Sequence, residues 1–190
     1  MPKYMNACKV ITGPNTLWSY VHVWTPTSIN GSAEKYSISL VFDKETEKET
    51  IEKIKAAIEA AYHEGEAKLK GNSKTLPPLE TLKTPLRDGD LEKPDDENYR
   101  GCMFLNANST TMPGIIDKDR NEIIDHAEVY SGCRGRASIQ FYAYNTGTAR
   151  GVACGLSNLM KCKDGKPLGG HTSAVDDFAD CEDDDDDFLS

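Results

Sequence analysis

A mainly β domain with one inserted helix is the fold class this sequence predicts, and three observations predict it. Several segments alternate apolar and polar residues with the period of two that lets an extended chain give one face to a core and the other to solvent. One segment, within residues 43 to 70, instead repeats its apolar residues at three and four, as a helix does. Gly, Pro, Asn and Thr crowd the second half, as short strands joined by elaborate loops require.

Lys9 to Pro26 reads as strand, interrupted by a turn at Gly13, Pro14 and Asn15. Within it Leu17, Ser19, Val21 and Val23 fall on one face, which resembles a core, and Trp18, Tyr20, His22 and Trp24 fall on the other as an aromatic row. After a turn from Ile29 to Ser32, Lys35 to Phe42 is a second strand with Tyr36, Ile38, Leu40 and Phe42 on its apolar side. Ile51, Ile54, Ile58, Ala61 and Tyr62 then mark the helix. Thr46 and Glu49 have capping-box spacing ahead of it, Gly65 weakens its end, and Gly71, Asn72 and Ser73 close it. Residues 73 to 98, with Pro77, Pro78, Pro85 and Pro94 among Asp and Lys, form a long surface loop. Strand resumes at Cys102 to Asn106 and at Gly114 to Asp117, and Asp117 to Asn121 is a hairpin turn before Glu122, Ile123 and Ile124. From Cys133 to Asn145, Ala137, Ile139, Phe141 and Ala143 point one way, and Arg134, Arg136, Ser138, Gln140, Tyr142 and Tyr144 the other. Arg150 to Lys161 is the last strand.

Charge divides the chain. Of its 31 acidic residues nine lie in Val175 to Ser190, which holds no Lys or Arg; the remaining 22 match the 22 basic groups of the body. The expected organisation is therefore a folded domain over residues 1 to 174 and a solvated, disordered tail over 175 to 190, whose like charges repel and whose chemistry imitates a phosphate backbone. No apolar run approaches a membrane span and the first residues lack the apolar stretch of a secretory signal, so the cytosol is expected. The cysteines, Cys8, Cys102, Cys133, Cys154, Cys162 and Cys181, contain no C-x-x-C pair and are expected as free thiols. His22, His63, His126 and His171 are scattered, and no metal or cofactor is expected.

Two strands thus pair a core face with a face bearing aromatics, and the later one adds Arg134 and Arg136 set between Gly132 and Gly135. Single-stranded nucleic acid needs this mixture, because unpaired bases stack on aromatic rings for about 1–3 kcal/mol each and phosphates require nearby cations. The bland readings stay beside it: Trp18 and Trp24 as core, the arginines as solvated ion-pair partners. Asp88-Gly89-Asp90 lacks the remaining ligands of a calcium loop and reads as a turn. No phosphate-binding loop, nucleophile elbow or zinc-protease pair is present, and nothing argues for an enzyme. Two other classes compete: an interaction module whose tail mimics DNA and which binds no nucleic acid, and a nuclease using Asp88 and Asp90.

The segments LWSYVHVWTP (17 to 26), EKYSISLVFDK (34 to 44), PLRDGD (85 to 90), GCMFLNANS (101 to 109), PGIID (113 to 117), VYSGCRGRASIQFYAYN (129 to 145), KDGKPLGG (163 to 170) and the DDF near the end resemble, in order, a family of phage single-stranded DNA-binding proteins with an OB-fold. The resemblance implies a five-stranded barrel with an inserted helix, sequence-independent DNA binding across its face, and a role in phage DNA replication or recombination in the bacterial cytoplasm. It falls on Tyr20, Tyr130, Arg134, Arg136, Tyr142 and Tyr144; the aromatic row adds Trp18 and Trp24. Acidic tails of such proteins dock on replication or recombination partners through a terminal aromatic. Here Asp183, Asp184, Asp185, Asp186 and Asp187 with Phe188 are the expected partner-binding element, and Phe178 is a second copy. Whether copies of the chain associate is left open.

Overall fold

In the computed structural model, which describes residues 6–28 and 31–168, the alternating segments become β1 (Lys9–Ile11), β2 (Leu17–Thr27), β3 (Lys35–Asp43), β4 (Arg87–Asp88), β5 (Cys102–Ser109), β6 (Gly114–Ile116), β7 (Arg134–Asn145) and β8 (Arg150–Lys163). Helices α1 (Lys48–Glu64), α2 (Glu66–Lys70) and α3 (Gly89–Glu92) lie between them. Neighbouring strands follow the order β1-β7-β2-β3-β5-β8-β6, and a further pairing of β7 with β8 closes the path. The closed ring is β2-β3-β5-β8-β7, with β5 and β8 its parallel pair. This is the five-stranded OB-type barrel that the resemblance implied. Ile38, Leu40 and Phe42 of β3, Leu105 of β5, Ile139 and Phe141 of β7, and Leu156 and Leu159 of β8 fill it. α1 lays Ile51, Ile54, Ala57, Ile58 and Ala61 onto the same core.

The helix begins differently from the expected Thr46 and Glu49 box. No side chain caps α1. Because β3 runs to Asp43, the turn starts there: Asp43 Oδ1 accepts the N–H groups of Glu45 and Thr46 at 2.8 and 3.0 Å, while Glu47 Oε2 accepts that of Asp43 at 3.0 Å. Glu49 pairs instead with Lys53 one turn on, at 2.9 Å. At Gly65 a Cβ would collide with Ala143 Cβ, so glycine lets the helix end tightly against β7.

On β2 the expected alternation is corrected. Trp18 lies opposite Leu40 and Ser19 opposite Ser39, but the next partner of β3, Ser37, is met by His22. One extra residue has been inserted on β2, a bulge at Tyr20, whose φ is +45°. Since a single inserted residue exchanges the faces of the residues that follow it, Trp18 before the bulge joins Leu40 inside and His22 after it joins Ser37 outside, until a second register shift between His22 and Thr27. No aromatic row forms: Trp18 is 0% exposed and Leu17 turns outward, into a small cluster with Val41, Tyr99 and Phe104.

The long loop is more ordered than expected, because Arg87 and Asp88 pair with Phe104 and Met103 as an edge strand. Asp88-Gly89-Asp90, expected as a turn, is where β4 passes into α3: Asp88 Oδ1 accepts the Asp90 N–H at 2.9 Å as the helix cap, and Lys44 Nζ lies 2.8 Å from both carboxylates. Glu122 to Ile124 is not a strand; one bridge, Ile116 to Glu122, and the Ile123 N–H donated to Ile115 hold it.

Candidate nucleic-acid interface

The outer face of β2, β3 and β5 holds a groove of about 490 Å³. Its floor follows from register: Ser37 lies opposite Asn108 and Ser39 opposite Asn106, so four small polar side chains share the face that Ile38 and Leu40 do not use. Tyr20, His22, Thr27, Ser28, Lys35 and, from the long insertion, Lys93 line the rest of it.

Tyr20 is 53% exposed. A left-handed backbone in a tyrosine costs on the order of 1 kcal/mol and persists where neighbours impose it. The imposing segment here is 131 to 133, which runs beside β2: the Val21 N–H donates to Ser131 Oγ at 3.1 Å, that of Gly132 to the Trp18 carbonyl at 2.8 Å, and that of Trp18 to the Cys133 carbonyl at 2.9 Å. Lys93 Nζ stands 4.7 Å from the Tyr20 ring centroid, 4.8 Å from that of Tyr99 and 5.6 Å from that of Phe104. Tyr99 and Phe104 meet edge to face at 5.0 Å, and the Tyr99 hydroxyl lies 3.0 Å from Ser39 Oγ, which ties the insertion to the groove floor. Beyond Lys93 the rim is acidic, with Glu92, Asp95, Asp96 and Glu97 around an adjoining hollow.

The structure divides the residues singled out from sequence. On β7 the alternation is as expected: Arg134, Arg136 and Tyr142 are exposed and Tyr144 half-buried on one face, with Ala137, Ile139, Phe141 and Ala143 inside. None of these β7 residues lines the groove, and β2 stands between β7 and β3 in the strand order, meeting β7 at a single pair, Leu17 with Arg134. Both guanidinium groups are anchored, Arg134 Nη1 donating to the Asn15 carbonyl at 2.8 Å and Arg136 Nη1 to that of Thr12 at 3.1 Å. Tyr142 is 45% exposed.

Tyr130 is tied into a strap rather than offered. Its hydroxyl lies 3.1 Å from Asp164 Oδ1 and 2.9 Å from the Gly165 carbonyl, and burial pushes its pKa up. Lys161, 2.6 Å from Asp164, holds that carboxyl below the usual range. Trp24 is half-buried, stacked on His126 at 4.2 Å with its Nε1–H donated to the Val129 carbonyl at 3.3 Å. Trp18 is no stacking platform, since its ring is sealed inside and its Nε1–H donates to the Gly135 carbonyl at 3.2 Å. The glycines beside the arginines have packing reasons: a Cβ at Gly135 would come 2.7 Å from Trp18 Cζ2, and at Gly132, φ +123°, it would strike the Lys166 carbonyl. The described chain ends at Leu168, which donates its N–H to Ser131 at 2.9 Å and packs on the Leu17, Val41, Tyr99 and Phe104 cluster. Phe178, Asp183 to Asp187 and Phe188 lie outside the described residues.

Sequence reasoning missed Lys35, Lys93, Ser37, Ser39, Asn106 and Asn108. Their signal lies in the polar members of the period-two runs, Ser37 with Ser39 and Asn106 with Asn108.

Comparison with known proteins gives a consistent result. The family model described as the single-stranded DNA-binding protein of Enterobacter phage Enc34 matches residues 8–189. Protein p50 of Acyrthosiphon pisum secondary endosymbiont phage 1 is 28% identical over 175 residues, 87% of this chain and 90% of that protein. The solved structure of the bacteriophage Enc34 single-stranded DNA-binding protein in complex with single-stranded DNA superposes with a TM-score of 0.72 at 24% identity, over 89% of this chain and 97% of that one. For gp2.5, a single-stranded DNA-binding protein encoded by bacteriophage T7, the TM-score is 0.55 at 16% identity, over 96% and 98% of the two chains. At such identities these structures share the fold.

Proposed function

The chain belongs to the family of the Enterobacter phage Enc34 single-stranded DNA-binding protein, and from that premise we propose that it coats unpaired DNA without sequence preference, the strand crossing the β2-β3-β5 face. In OB-folds the face of the second and third barrel strands takes oligonucleotides, and here β3 and β5 are those strands and carry the groove. A base stacks on Tyr20, the amides and hydroxyls of Asn106, Asn108 and Ser37 reach base edges and sugar oxygens, and Lys35 neutralises a phosphate. The β7 face extends the path: a strand leaving the groove meets Arg134 and Arg136, with Tyr142 and Tyr144 beyond them. None of these contacts requires a metal or cofactor.

The acidic tail competes with DNA for this surface and recruits replication or recombination proteins in the host cytoplasm. Two facts support competition: the nine carboxylates of residues 175–190 stand against an otherwise balanced body, and Leu168, the last described residue before them, packs on the cluster whose Tyr99 and Phe104 rings Lys93 covers. The observation that carries the proposal is a tyrosine half exposed in an open groove on the OB binding face. Titration of a labelled oligo-dT with the parent and with Tyr20→Ala tests it. The expected loss is about fivefold to 150-fold, the equivalent of one stacked base; equal affinity would remove the groove as the site.

A further inference from the structure

The Tyr20 ring is held from two directions, by a bulge that sets its backbone at φ +45° and by Lys93 Nζ at 4.7 Å from its centroid. The same ammonium lies over Tyr99 and Phe104 at 4.8 and 5.6 Å, so it brackets one exposed ring to two buried ones. Among the described residues Lys93 forms no ion pair, although Glu92, Asp95, Asp96 and Glu97 adjoin it in the chain. An ammonium resting on three ring faces rather than on a neighbouring carboxylate is engaged through the rings' negative faces. The insertion that presents it is itself fastened, by Lys44 to Asp88 and Asp90 at 2.8 Å and by Tyr99 to Ser39 at 3.0 Å.

We propose that Lys93 is a positioning residue for DNA binding: it covers one side of the Tyr20 ring and fixes its orientation, so that the uncovered side is presented to a base, and it does not itself neutralise a phosphate. This rests on the groove being the DNA site. A ring oriented in advance has less freedom to lose when a base arrives, and affinity rises by that amount.

The test uses the full chain and a labelled oligo-dT over a range of salt, with Lys93→Met, which keeps the stem and removes the charge, Lys93→Arg, Tyr20→Ala and the Tyr20→Ala/Lys93→Met pair. Lys93→Met is expected to weaken binding roughly threefold, in line with an exposed cation–π contact, with its salt dependence unchanged. Lys93→Arg should bind like the parent, and Lys93→Met should add no loss in the Tyr20→Ala background. A fall of about 0.7 in the logarithmic salt slope of Lys93→Met would assign it a phosphate and overturn the inference. So would an undiminished loss in the Tyr20→Ala background, or parent-like affinity of Lys93→Met while Tyr20→Ala is weakened. Parent-like affinity of Tyr20→Ala is a different outcome: the groove itself fails, and the role of Lys93 with it.

Discussion

Replacing Tyr20 by glycine and by alanine should reverse the usual order of stability between those two residues. Both changes delete the ring and its contact with Lys93, so the pair differs only by a Cβ at a backbone position with φ +45°. Alanine there keeps the left-handed clash of an L-residue, roughly 1–2 kcal/mol, which glycine escapes. Against this, glycine has the more flexible unfolded chain, worth about 0.4–1 kcal/mol to alanine at an ordinary position. The net is about 0.5–1 kcal/mol in favour of glycine, which for a 190-residue chain is a melting temperature higher by about 1–4 °C. Parallel thermal melts by circular dichroism measure it, and oligonucleotide titration should show both variants equally weakened. An alanine variant that melts at or above the glycine variant would refute the bulge as the device that presents Tyr20.

Three further outcomes are expected. Changing Arg134 and Arg136 together to Gln, which keeps a donor for the Asn15 and Thr12 carbonyls, should lower the logarithmic salt slope of binding by about 1.4, two single-strand phosphates; an identical slope would leave the β7 face out of the path. Deleting residues 176–190 should tighten oligonucleotide binding, most at low salt, where competition between tail and phosphate is least screened; unchanged affinity would defeat tail competition. Gly135→Ala should destabilise the fold by about 3 kcal/mol, because its Cβ would come 2.7 Å from Trp18 Cζ2 and meet the Met160 carbonyl, both held in a closed core. A chemical denaturation midpoint like the parent's would contradict that packing.

How much was legible varies by residue, and the reason is range. The two faces of β7 were readable residue by residue, since side-chain alternation is a local property of extended chain and nothing interrupts it between Gly135 and Tyr144. On β2 the same rule misplaced Trp18, because a bulge at Tyr20 exchanges the faces and arises from pairing with Ser37, Ser39 and the 131–133 segment, none of them adjacent in sequence.

Composition and periodicity were enough for a β domain, for its long helix α1 and for the core face of most strands, since each depends on neighbours within a few residues; the short α2 and α3 were not read from them. Closure of the ring through β7 and β8, the meeting of Ser37 with Asn108 and of Ser39 with Asn106, and the seating of Lys93 on Tyr20 came from the tertiary structure alone. These are contacts between segments far apart in the chain, set by strand register and by where an insertion lands, and a one-dimensional pattern carries no record of either.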